Sequence, residues 1–174
     1  METDPPIWRR VRVPGDVTLA RLDRILQAAM GWTNAHVHTF TAGGVTYGDP
    51  NPEWDVRNER RARLDGIARE EGEAFIYEYD LGDSWRHQVL VEAVRFDAKH
   101  TEGASCLGGE RACPPEDSGG VPGYCEKLER LRDPDHDEHE ETKAWMEGMT
   151  GGPFDPDAFD LRAVNRALKA LKAK

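Results

Sequence analysis

Nowhere does the chain run to the roughly 18 consecutive apolar residues that a membrane-spanning helix needs. Its opening, METDPPIWRR, sets acids and prolines where an export signal has a basic start and an apolar segment, so a cytoplasmic protein without a membrane anchor is expected. Cysteine is scarce. Cys106, Cys113 and Cys125 make an odd set, which argues against a disulfide framework and for free thiols. Positive charge is short as well, with 23 Lys and Arg against 33 Asp and Glu and a net charge of −10. Such a chain repels phosphate backbones, which argues against nucleic acid as a partner. Two catalytic signatures are missing. LGGERACPPEDSGG is rich in glycine but has no Lys-Ser/Thr to complete a nucleotide loop, and no serine sits in a Gly-x-Ser-x-Gly elbow.

What is present suits one domain: 174 residues, 38% hydrophobic and 32% charged, with five Trp, five Phe and four Tyr to anchor a core. Charge is unevenly spread. DPDHDEHEE (133–141) holds six acids and no base, whereas beyond Asp160 come Arg162, Arg166, Lys169, Lys172 and Lys174 without an acid. Arg9, Arg10 and Arg12 form a second basic cluster, so local patches could meet an anion on an acidic molecule.

Periodicity supplies the elements. IWRRVRV (7–13) sets Ile7, Val11 and Val13 against Trp8, Arg10 and Arg12, the period of a half-buried strand, before Pro14-Gly15 breaks it. Residues 17–30 place Leu19, Leu22, Ile25, Leu26 and Ala29 at helical spacing, with Asp16 or Thr18 as cap and Gly31 as stop. HVHTF, Gly43-Gly44 and VTYG read as a hairpin, and His36, His38 and Phe40 then share a face. Residues 49–73 read as a loop with at most a short strand or helical turn.

A stronger hairpin follows around DLGDS, where Phe75, Tyr77 and Tyr79 alternate with Ile76 and Glu78, and Trp85, His87, Val89 and Val91 with Arg86, Gln88 and Leu90. Helices are expected around Tyr124, Leu128 and Leu131, through the acidic segment to Met149, and along Leu161, Val164, Leu168 and Leu171, where Asp160 caps the last one. Hairpins followed by a helical part from about 121 to 174 predict a single α+β domain over 1–174, a largely antiparallel sheet packed against helices.

Chemistry has several candidate carriers. The cysteines are too far apart for the Cys-x2–4-Cys pairing of structural zinc, and buried free thiols are the commoner arrangement. His136 and His139, three apart among six acids, fit a solvated face. His36 and His38 project from one side of a strand and could offer two nitrogens to one ion. Asp83 and His87 on the second hairpin, beside Asp80, and Glu116 and Asp117 in CPPEDSGGVPGYC could complete a mixed nitrogen and oxygen shell for a divalent metal. The competing role for these histidines is packing on aromatic neighbours with hydrogen bonds to backbone. A pocket is expected where the 80–85 hairpin tip meets the 113–125 loop.

Taken together, PPIWRRVRVP (5–14), TLARLDRILQAAMGW (18–32), HVHTF (36–40), YEYDLGDSWRHQVLVE (77–92), CPPEDSGGVPGYCEKL (113–128) and FDPDAFDLRAVNRAL (154–168) resemble the plasmid pRiA4b ORF-3-like proteins. The motifs stand in that family's order and cover most of the chain, leaving out mainly 49–73. The resemblance implies a single α+β domain of the roll type, found mainly in bacteria and archaea, with no established activity and no catalytic residues to carry over. Three readings of function follow. A non-enzymatic ligand-binding or protein-interaction module leads, with a small molecule or a protein as partner. A metal-dependent hydrolase using a subset of His36, His38, Asp83, His87, Glu116 and Asp117 is the alternative. Some members are labelled resolvase-like, which implies an accessory role in plasmid or transposon DNA transactions; the net charge of −10 sets this third.

Overall fold

The structure, a computed structural model, describes residues 3–96 and 103–171. Lys172 and Lys174, two of the five C-terminal bases, lie outside the described residues.

Strand β1 (Trp8–Arg12) is followed by helix α1 (Leu19–Met30), hairpin β2 (His38–Ala42) and β3 (Val45–Gly48), and the short β4 (Arg57–Asn58) and α2 (Leu64–Ile67). Hairpin β5 (Ala74–Tyr79) and β6 (Trp85–Leu90) comes next, then β7 (Ser105–Glu110) and helices α3 (Gly120–Arg132), α4 (His139–Thr150) and α5 (Leu161–Ala170). The strands form a five-stranded sheet in the order β4-β3-β2-β5-β6 and a two-stranded β1-β7 ribbon. Every pairing is antiparallel except β3 with β4.

Alternation decides which face of the large sheet is buried. Phe40, Phe75, Tyr77, Tyr79 and Trp85 are all buried, while Thr41, Ala74, Arg86, Gln88 and Leu90 on the other face are exposed. Leu19 and Leu22 of α1, Trp32, Tyr124 and Leu128 of α3 and Met146 of α4 cover the inner face. Trp32 stacks on Tyr79 at 4.5 Å between ring centroids, and Phe40 leans on Tyr77 at 5.0 Å. A fully buried side chain of this size contributes about 1.5–3 kcal/mol, so the aromatic layer, and not the exposed ion pairs, holds the sheet to its helices.

Caps explain where the helices start and stop. Thr18 accepts the Arg21 N–H at the head of α1, and Gly31 closes it at φ 115°, in the left-handed region. Asp160 accepts the Arg162 and Ala163 N–H groups at the head of α5.

A second core of Ile25, Cys106 and Leu168 joins α1, the ribbon and α5. There Asn165 behaves like a further strand residue: its Oδ1 accepts the Cys106 N–H and its Nδ2 donates to the Cys106 carbonyl, both at 3.0 Å. Arg9 clasps the same region, donating to the carbonyls of Trp8, Ala29, Glu110 and Arg111 and lying over the Phe159 ring. Arg10 meanwhile pairs with Glu92. The first basic cluster therefore serves the fold through Arg9.

One strand was not anticipated, and one expectation needs revision. β7 did not stand out in the sequence, because SCLGGE has neither alternation nor β-branched residues. The 113–125 stretch is not one loop: α3 starts at Gly120, so Cys125 lies on a helix.

Candidate functional site

The site forms where three turns meet at one end of the sheet's inner strands β2 and β5. β5 ends at Tyr79, and Asp80 then adopts φ 55°. Asp80 Oδ1 accepts the Gly82 and Asp83 N–H groups at 3.0 and 3.3 Å, an Asx turn that fixes the carboxylate and leaves Oδ2 facing His36 Nδ1 at 3.7 Å. The residues just before β2 reach the same place. The Ala35 and His36 N–H groups donate to the Tyr79 hydroxyl, which donates in turn to the Glu116 carboxylate at 3.0 Å. Burial, and then this hydrogen bond to Glu116, push the Tyr79 phenol far above its ordinary value, so it serves as a fixed donor.

Glu116 is held rigidly. Its Oε1 also accepts the Thr33 N–H and hydroxyl at 3.0 and 3.2 Å, and its Oε2 faces His36 Nε2 at 3.8 Å. Asp117 follows at φ 56° and brings Oδ1 to 3.4 Å from the same nitrogen. His36 Nε2 is itself buried and has no hydrogen-bond partner among the described residues. One ligand atom each from His36, Asp80 and Asp117 lies within 4.8 Å of the others, with Glu116 beside them.

The loop supplying Glu116 and Asp117 is pinned at each end. Trp32 Nε1 donates to the Pro114 carbonyl, Ser118 Oγ to the Pro115 carbonyl, and the Gly119 N–H to Asp83 Oδ2 at 2.8 Å. Gly120, at φ 65°, packs so closely that a Cβ there would run into the Asp83 carbonyl oxygen. Asp83 thus fastens the loop to the hairpin tip, and its carboxylate faces Gly119 instead of His36.

The six sequence candidates therefore separate. His36, Glu116 and Asp117 come together, joined by Asp80, which the sequence offered beside His87 and as a carboxylate pair with Asp83 but left out of the candidate set. His87 lies in the aromatic layer, its ring edge-on to Trp32 at 5.3 Å and tilted on Tyr77 at 5.7 Å. Burial lowers its pKa, opposed in part by the nearby Tyr77 and Trp85 backbone.

His36 lies in a bend before β2, which starts at His38, so the two do not form the expected pair on one strand, and His38 belongs to a different cluster. Its Nε2 meets Glu59 Oε2 at 2.7 Å and its Nδ1 meets Asp23 Oδ1 at 3.3 Å. Asp23 also accepts from the Tyr77 hydroxyl at 2.8 Å and from Gln27 at 3.4 Å. Burial pulls the His38 pKa down, but the Glu59 hydrogen bond and the Asp23 charge outweigh it, and the net direction is up. Asp23 is shifted up, chiefly by burial. Nothing in the sequence singled out Glu59; Asp23 left a trace, as an acid within the buried run of α1.

The three cysteines are free thiols and form no cluster of their own. Burial pushes the Cys113 thiol well up, which keeps it protonated and a poor metal ligand.

One imidazole among three carboxylates, close to solvent through Asp117, is a mixed nitrogen and oxygen donor set, the kind that suits a borderline or hard divalent cation. Fold and site together define an α+β domain carrying a His/carboxylate cluster between a hairpin tip and a pinned loop. The family described as plasmid pRiA4b ORF-3-like protein matches residues 1–163, and the chain belongs to it. It is 39% identical to the uncharacterized protein y4hQ of Sinorhizobium fredii, over 98% of this chain and 88% of that one. The crystal structure of a protein of unknown function from Methanosarcina mazei Go1, MM3350, superposes with a TM-score of 0.81 at 35% identity, covering 92% of this chain and 90% of that one. Among the described residues, no helix is long and apolar enough to cross a membrane.

Proposed function

We propose that the protein is a binding module that takes a divalent cation between His36, Asp80, Glu116 and Asp117 and uses it to hold an anionic oxygen of a small molecule or a protein. The observation that carries this reading is the buried His36 Nε2, which has no hydrogen-bond partner among the described residues and faces the Asp117 and Glu116 carboxylates at 3.4 and 3.8 Å. Three carboxylates around one imidazole repel one another, and a cation relieves that repulsion while giving the nitrogen a partner. The hydrogen bonds behind the carboxylates favour it too: Thr33 and Tyr79 orient Glu116, and the Gly82 and Asp83 amides orient Asp80, as supporting groups do in metal sites.

Zinc and manganese titrations of the metal-stripped full chain, followed by calorimetry, test this. One ion should bind per chain, and His36→Ala should weaken it by at least about tenfold. No binding at millimolar metal, or equal binding by His36→Ala, would sink the reading. A metal-dependent hydrolase at the same residues is the second reading, favoured by the exposure of Asp117, at 67%, which leaves the ion reachable by water. Phosphoester turnover by the metal-loaded protein, lost in His36→Ala, would select it over the binding module.

A further inference from the structure

Sharing no residue with the His36 cluster, α3, α4 and the turn that follows α4 line a half-open cavity of about 400 Å³. Its floor is apolar: Leu128 and Leu131 from α3, Met146 from α4, and Phe154, whose ring also stands edge-on to Tyr124. The turn is anchored at both ends. The Gly152 N–H donates to the Glu147 carbonyl, and the Ala112 N–H to the Pro156 carbonyl, at 3.0 Å each.

The rim is cationic although the molecule is acidic. Arg132 and Lys143 line it, with Glu147 as the one acid. Other bases of α3 are already engaged: Arg130 by Glu126 and Glu138, and Lys127 over the Trp145 ring. Among the described residues, Arg132 and Lys143 have no carboxylate within ion-pair distance. His139 lines the cavity too. Its Nδ1 lies 3.0 Å from the Arg130 carbonyl, which can only accept, so Nδ1 carries the proton, while Nε2 faces Glu140 Oε1 at 3.8 Å and adds nothing to the cationic rim.

An apolar floor under a cationic rim selects an amphipathic anion, and the volume falls in the range of small-molecule sites, about 300–1,000 Å³, well short of what a folded partner needs. We infer that this cavity is a second binding site, for a small amphipathic carboxylate whose hydrocarbon body lies on Leu128, Met146 and Phe154 and whose head group lies between Arg132 and Lys143. This site is independent of the cation site.

Amide NMR titrations of the full chain with octanoate, octanol and octylammonium test it. Octanoate should shift α3 and α4 resonances saturably, and the double variant Arg132→Gln, Lys143→Gln should bind it about tenfold more weakly. Octanol should bind wild type and variant alike, and octylammonium more weakly than octanoate. Both substituted residues are exposed, and an unchanged amide spectrum away from the cavity verifies the fold. The inference is overturned if octanoate causes no saturable shift there at millimolar concentration. It is equally overturned if the double variant binds octanoate as wild type does, or if octylammonium binds as tightly.

Discussion

His36 and His38 stand two residues apart, yet their neighbours give them opposite availability. Both ring nitrogens of His38 face carboxylates in a pocket where Asp23 and Glu59 are only 1% and 4% exposed. That imidazole is saturated, and its cluster ties α1, β2 and the 49–63 segment together. Glu59→Gln removes a charged acceptor from a 2.7 Å bond and should lower unfolding free energy by about 1.5–3 kcal/mol, as read from urea denaturation. A loss near zero would mean that Glu59 packs without contributing its charge. At this scale the sequence revealed residue types better than assemblies. His36, Glu116 and Asp117 could be selected from strand period and loop composition. Glu59 reaches His38 from a segment with weak periodicity, a meeting made by tertiary structure alone. Asp80 became visible only once its Asx turn showed which oxygen was left over.

The hairpin tip and the 113–119 loop form the junction that positions the candidate site, and their fit depends on one residue without a side chain. Gly120→Ala introduces a Cβ at φ 65° and against the Asp83 carbonyl, so it should cost about 1–3 kcal/mol and weaken cation binding by moving Asp117. Gly148→Ala is the matched control, inside α4, where among the described residues nothing beyond its chain neighbours and the helix's own backbone lies within 4 Å of the added carbon. It should stabilise by about 0.5–1 kcal/mol, so the two substitutions move urea midpoints in opposite directions. Both hairpins were legible because one buried face imposes alternation, as in Phe75-Tyr77-Tyr79. β7 was not, since its pairing with β1 spans most of the chain and its two glycines carry no side-chain pattern.

Across the whole molecule, acid sensitivity should follow in part from His87. Its pKa is depressed by burial, so the unfolded chain takes up a proton that the folded chain resists. The stability this residue permits is fully present above its ordinary value of 6.5 and is lost as pH falls below it. In His87→Phe that loss disappears. Whatever the offset at neutral pH, the variant should therefore gain on wild type in urea midpoint between about pH 7.5 and pH 5. A difference that stays constant would show that the buried ring accepts a proton as readily as an unfolded one.

Asn165 has a consequence at this same scale. A two-stranded ribbon leaves strand edges whose free amide and carbonyl groups can template a strand from another molecule. By occupying both backbone groups of Cys106, a helix side chain takes up hydrogen-bonding positions that an incoming strand would need. At Cys106 the last described helix thus guards the ribbon against edge-to-edge association.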